Sequence, residues 1–139
     1  MKSSKVFFTS IVVALGGFLF GFDTVVISGA DKQLQTLWQS SDLFHGLVVM
    51  STALWGTVLG AITGSIPTNK LGRKKTLIFI GILFFFSAIG SALVSDPYLF
   101  AIFRFIGEIG IGISTIVSPS YIAEISPANK RGSLVALYQ

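Results

Sequence analysis

The sequence predicts an all-α membrane protein with four transmembrane helices and the start of a fifth, and three observations carry that prediction. Of the 139 residues, 52% are hydrophobic and only 12% charged, against roughly 25% charged in an average soluble domain, and the mean hydropathy is +0.79. The charges cluster, and they separate apolar blocks near the roughly 20 residues that a helix needs to cross the hydrocarbon at about 1.5 Å per residue. Within those blocks small residues recur four apart, the spacing that lets membrane helices approach closely.

The first block runs from Val6 to Phe22 without a charge, then through Asp23 to Ala30, and gives a span over 6–30. With Lys2 and Lys5 ahead of it and Ser28 and Ala30 at its end, it imitates a secretory signal, but its length, Asp23 and three later spans favour a retained helix. The second span covers 43–66 with Gly56, Gly60 and Gly64 on one face, and the third covers 76–95 with Ser87 and Ser91. The fourth covers 99–123, interrupted by Arg104 and Glu108. From Gly132 to Gln139 the chain is apolar but too short to cross, as at the beginning of a fifth span.

The absence of cysteine and the single histidine, His45, exclude a disulfide framework, a thiolate nucleophile and a cysteine or histidine metal cluster. No metal, cofactor or enzymatic chemistry is expected. The formal charge of +4 does not point to nucleic acid, because the cations sit at the ends of apolar blocks rather than along a helix face among exposed aromatics. They set topology: Lys2, Lys5, the Lys70 to Lys75 loop, Lys130 and Arg131 belong on the cytoplasmic side. The expected setting is a multi-pass protein of the plasma or cytoplasmic membrane with its N-terminus inside and the lipid bilayer as its surroundings.

Three ionisable residues fall at membrane depth, where each costs about 2.5–3.5 kcal/mol near a helix centre on insertion scales. Span one runs outward and span four inward, so Asp23 and Arg104 lie at matching depths and are expected to pair. Such a pair is either a static bridge or a proton-linked switch. Glu108 follows Arg104 by four residues, on the same helix face. Either it shares the guanidinium with Asp23, an arrangement suited to carrying a proton, or it only balances charge in a groove. His45 is placed at the interface, where its ring reaches water or headgroups, and has no assigned role; Trp38 and Tyr98 read as interface anchors, and Trp55 faces lipid or a cavity. The segment Asn69, Lys70, Leu71, Gly72, Arg73, Lys74 offers a glycine turn and cations that can pair with Glu124.

These residues resemble the sugar porters of the major facilitator superfamily. Gly21 to Gly29 is similar to that family's first-helix signature, Asn69 to Lys74 to its loop between helices two and three, Arg104, Gly107, Gly110 and Gly112 to its fourth-helix pattern, and Pro119 to Gly132 to its Pro-x-Tyr-x-x-Glu-x-x-Pro-x-x-x-Arg-Gly signature. The resemblance implies a bundle of twelve helices in two halves, alternating access to a monosaccharide, and, in proton-coupled members, an acid at Asp23 working against Arg104; facilitators often carry an amide at the first position. It further implies that Arg73, Glu124 and Arg131 latch the outward-open state, that Gln139 hydrogen-bonds sugar hydroxyls, and that Phe20 lines the cavity. Residues 1–139 would then be the N-terminal part of a transporter lacking its C-terminal helices. Ser65, where glycine is usual, and Glu108, where a small residue is common, depart from the pattern. Competing expectations are a facilitator without protons, a non-transporting fragment, and a small homodimeric four-helix exporter.

Overall fold

The structure, a computed structural model, describes residues 3–139, so Lys2 lies outside the described residues. It is built of helices, with no strand among the described residues: α1 Ser3–Leu37, a short α2 Asp42–Phe44, a π-helical stretch His45–Met50, α3 Ser51–Thr63, α4 Ser65–Leu71, α5 Arg73–Leu93, α6 Pro97–Ile125 and α7 Arg131–Ala136. Among the described residues four stretches are long and apolar enough to cross a membrane: Ser4–Leu37, Asp42–Thr63, Arg73–Leu93 and Pro97–Ile125. They alternate in direction, so that Lys70 to Lys75 and Lys130 gather at one end, the basic end, and Trp38, Ser41 and Asp96 at the other. The first helix continues to Leu37, beyond the apolar stretch that ends at position 30. Lys32, Gln33 and Gln35 end the hydropathy but break no backbone hydrogen bond.

Helix α6 is the hub, packed against both α3 and α5. Its buried face reads Gly107, Glu108, Gly110, Ile111, Gly112, Ile113, Ser114, Val117, Ser118 and Ile122. The approach to α3 leaves no room for side chains: a Cβ on Gly60 would overlap the Ile109 carbonyl and stand 3.0 Å from the Gly112 Cα, and one on Gly56 would stand 2.8 Å from the Phe105 carbonyl oxygen. On the other side Ser87 of α5 fits over Gly107 and donates a hydrogen bond to the Phe103 carbonyl at 2.6 Å. Ile80, Ile113 and Val117 fill the space below, with Leu77 and Ile109 against them. Because lipid is as apolar as the interior, close backbone contact and hydrogen bonds across helices replace the hydrophobic effect here.

Helix α1 rests more lightly on α6. It is held near the basic end by Val6, which packs with Ile122 and Leu134, and by Tyr138, whose carbonyl lies against Gly17. Most of its large apolar side chains, Phe7, Phe8, Phe18 and Phe22 among them, are exposed.

The turn from α4 to α5 depends on Gly72, with φ 80° and ψ 158°, a conformation open essentially to glycine alone. Thr76 is fully buried behind it and donates to the Pro67 and Gly72 carbonyls at 3.1 and 2.9 Å. Pro119 sits inside α6, which nevertheless continues to Ile125, as membrane helices tolerate where neighbouring groups satisfy the backbone.

These contacts give a paired test in which Gly60→Val, forced against the Ile109 carbonyl, loses about 3 kcal/mol or more of stability, whereas Gly21→Ala, with nothing within 4 Å of its added methyl, leaves the melting temperature in detergent unchanged. Equal thermal stability of the two variants would show that the α3 to α6 contact is looser than described.

Candidate functional site

Arg104 sits in the first half of α6 and extends between two carboxylates. One guanidinium nitrogen lies 2.5 Å from Asp23 Oδ1 on α1, and the other lies 2.9 Å from Glu108 Oε1, one turn further along α6. All three side chains are largely buried, Arg104 11%, Asp23 16% and Glu108 9% exposed, so the charges are answered by one another rather than by water. The second oxygen of Glu108 accepts a hydrogen bond from Thr57 Oγ1 of α3 at 2.7 Å. Arg104 is therefore tied directly to α1 and, through Glu108 and Thr57, to α3. With every group ionised the cluster carries one net negative charge, and one added proton makes it neutral.

The structure brings together the three residues that sequence depth and spacing had placed near one another. Thr57 was not foreseen, although its place next to Gly56 on the face that meets α6 was a usable signal. Arg104 and Glu108, but not Asp23, line a cavity of about 500 Å³ whose wall also includes Phe20, Thr24, Ser28, Asp31 and Thr57. Phe20 thus stands beside the charged groups. Gln139, by contrast, is exposed beyond α7 and is not among the lining residues. Trp55 is 63% exposed and also lies outside the lining.

At the basic end Arg73 Nε lies 2.9 Å from Glu124 Oε1, but its N–H finds no hydrogen-bond alignment there. Both side chains are more than a third exposed, and such pairs contribute about 0–1 kcal/mol. Arg131, Asn69, Lys70 and Lys74 are exposed, and no ion pair joins Arg131 to Glu124 among the described residues. The helix α7 that begins at Arg131 turns its buried Leu134 toward Val6 and Ile122 instead.

His45 corrects an expectation. Rather than reaching water or headgroups, its ring is 5% exposed and its Nε2 lies 2.6 Å from Asp31 Oδ1. The π-helical stretch that starts at His45 turns the ring inward, toward α1. Trp38 anchors the same end by donating from Nε1 to the Ser95 carbonyl at 2.8 Å and by packing edge-on to Phe100, so its polar handle is used within the protein. Tyr98 remains 59% exposed and packs edge-on to Phe44.

Comparison with known proteins adds to this geometry. A profile of the sugar (and other) transporter family matches residues 9–139. A glucose transport protein of Synechocystis is 48% identical over 128 residues, which cover 92% of this chain and 27% of that protein. The arabinose-proton symporter of Bacillus subtilis is 43% identical over 94% of this chain and 28% of its own length. The D-xylose-proton symporter of Escherichia coli is 37% identical over 99% and 33%. The inward open structure of the xylose transporter XylE from E. coli superposes with a TM-score of 0.85 at 36% identity, over 96% of this chain and 36% of that one. This chain thus spans 27% to 33% of the length of these curated relatives.

The charge cluster is expected to respond asymmetrically to mutation. Arg104→Leu leaves two buried carboxylates without a cation and costs about 3–5 kcal/mol. Adding Asp23→Asn and Glu108→Gln to the same chain recovers part of that loss, because no unpaired charge remains. Thermal unfolding in detergent measures both; a triple variant less stable than Arg104→Leu would contradict this description of the cluster.

Proposed function

This chain belongs to the sugar (and other) transporter family of the major facilitator superfamily, and we propose that it supplies the first helices of a multi-pass, proton-coupled monosaccharide transporter that works by alternating access. The observation that carries this reading is Arg104 held between Asp23 and Glu108 at membrane depth on a cavity wall. In a low-dielectric interior a cluster of net charge is costly to move or to seal from water. Uptake of one proton neutralises it, so proton occupancy and helix movement are linked. The two carboxylates have different consequences. Asp23 forms the ion pair that joins α1 to α6, and its protonation releases α1. Glu108 is bound within the closely packed α3 to α6 pair, and its protonation leaves that pair in place. Asp23 is the coupling carboxylate on this reading, and Glu108 supplies the excess negative charge that draws the proton in.

The relatives are described as acting on glucose, xylose and arabinose, all monosaccharides with several hydroxyls and apolar C–H faces. Phe20 offers a ring for such a face, and Gln139 an amide for a hydroxyl, with further contacts from helices beyond the four spans. In the transport cycle Arg73, Glu124 and Arg131 tie the basic ends of the helices in one state. That basic end, with the N-terminus, faces the cytoplasm of the cell membrane, because lysine and arginine are retained on that side.

Two experiments in the intact transporter test the reading. Asp23→Asn should abolish uphill accumulation of D-glucose, D-xylose or L-arabinose while leaving their exchange measurable, since an amide can accept a hydrogen bond from Arg104 but cannot carry a proton. Undiminished proton-driven accumulation would remove Asp23 from coupling. For orientation, a membrane-impermeant thiol reagent applied from outside should label Gln35→Cys and not Lys74→Cys; the opposite pattern would invert the topology.

A further inference from the structure

The cavity that reaches Arg104 and Glu108 has one more ionisable residue in its wall, Asp31. Asp31 follows Asp23 by eight residues on α1, about 12 Å along the axis at 1.5 Å per residue, so the cavity extends from the deep cluster toward the end opposite the basic loop. Asp31 is 37% exposed, while the His45 ring that it meets at 2.6 Å is buried. The other ring nitrogen, Nδ1, faces Ser40 Oγ at 3.4 Å, and the ring lies 6.4 Å from that of Trp38. The backbone presents His45 through the π-helical stretch His45–Met50, a local widening that in α-helices concentrates at functional sites. A buried imidazole with a polar partner for each nitrogen thus holds a carboxylate that remains open to the cavity.

We propose that Asp31 and His45 form a proton-entry port at the mouth of this cavity, where a proton from bulk water binds before it reaches the carboxylates of Arg104. The inference rests on the proton-coupled reading above and on its orientation. In the first step a hydronium ion transfers its proton to Asp31 and becomes water. The neutral acid then passes the proton to cavity water and returns to a carboxylate. The hydronium formed there gives the proton to Glu108, the carboxylate of the cluster that the cavity reaches, whose charge falls from −1 to 0. One positive charge enters and one negative charge is neutralised. Ser28, Thr24 and Thr57 supply wall hydroxyls between the two ends, and about 500 Å³ holds a chain of waters at roughly 30 Å³ each. His45 is a positioning residue: by donating from Nε2 to Oδ1 it fixes the carboxylate at the wall and leaves Oδ2 free.

The remaining ionisable groups at this end are otherwise engaged or turned away. Asp42 accepts from Gln35 Nε2 at 2.6 Å, Asp96 accepts from the Leu99 N–H at 3.0 Å, and Tyr98 packs on Phe44. Lys32 lies with Gln33, Thr36 and Leu37 on a separate surface. Among the described residues lining the cavity, Asp31, Arg104 and Glu108 are the ionisable ones.

The test uses the intact transporter in energised vesicles, with D-glucose, D-xylose and L-arabinose as probes and Asp23→Asn run alongside. Asp31→Asn is expected to slow proton-driven uptake at least about tenfold at about pH 7.5, and much less at about pH 5.5, where abundant protons bypass the port. Equilibrium exchange, which needs no net proton movement, stays unchanged. His45→Leu should behave like Asp31→Asn, and His45→Gln, which keeps a donor for Asp31, should restore most of the rate. Uptake in Asp31→Asn with an unaltered pH profile would overturn the port while leaving proton coupling intact, provided that Asp23→Asn still abolishes accumulation. Accumulation surviving in Asp23→Asn would instead overturn the functional reading itself. Parallel loss of exchange and uptake in both Asp31→Asn and His45→Leu would make the pair a structural bridge and also overturn the port.

Discussion

An arginine within the span of a membrane helix has to be answered by negative charge at close range, and much of this structure is arranged around meeting that demand for Arg104. The bilayer offers no counter-ion at that depth. The chain supplies two carboxylates from different directions, Glu108 from the next turn of α6 and Asp23 from α1. One of these is local and inseparable from the arginine. The other crosses between helices, and it makes the position of α1 depend on the charge state of the cluster.

That division follows the packing. Around α6 the contacts with α3 and α5 are made by glycines and serines, with backbones touching and little freedom to slide. Thr57, inside this close contact, fixes Glu108. Helix α1 has no comparable seam on α6; an ion pair, a small apolar cluster at Val6 and the contact of Gly17 with Tyr138 hold it. A rigid helix pair carries the arginine, and a lightly seated helix carries Asp23, its partner in the ion pair.

The two ends of the bundle are finished differently. At the basic end a positive-φ glycine turns the chain and an exposed Arg73 to Glu124 contact bridges α5 and α6, an ion pair weak enough to make and break. At the other end Trp38 joins the first two spans to the last two, and buried His45, at the start of the π-helical stretch, joins the second span to the first. These contacts are directional and partly buried, so that end is the better specified of the two in the described state.

The four spans, the basic loop with its glycine turn, and the pairing of Asp23 with Arg104 follow from the order of residues alone. Charges delimit apolar blocks whatever the packing, only glycine suits the backbone at position 72, and depth follows from counting residues along antiparallel helices. Most of the fold was legible in that way, and the core of the charged site with it. The tertiary structure decided what depends on rotation about a helix axis: that Thr57 meets Glu108, that Asp31 opens to the same cavity as Arg104, that His45 turns inward, and that Arg131 stands apart from Glu124. In a soluble helix the buried face is marked by the contrast of apolar and polar residues. Here lipid and interior are alike apolar, so hydropathy gives the depth of a residue but not the direction in which it points, and only the packing of one helix on another fixes which side chains meet.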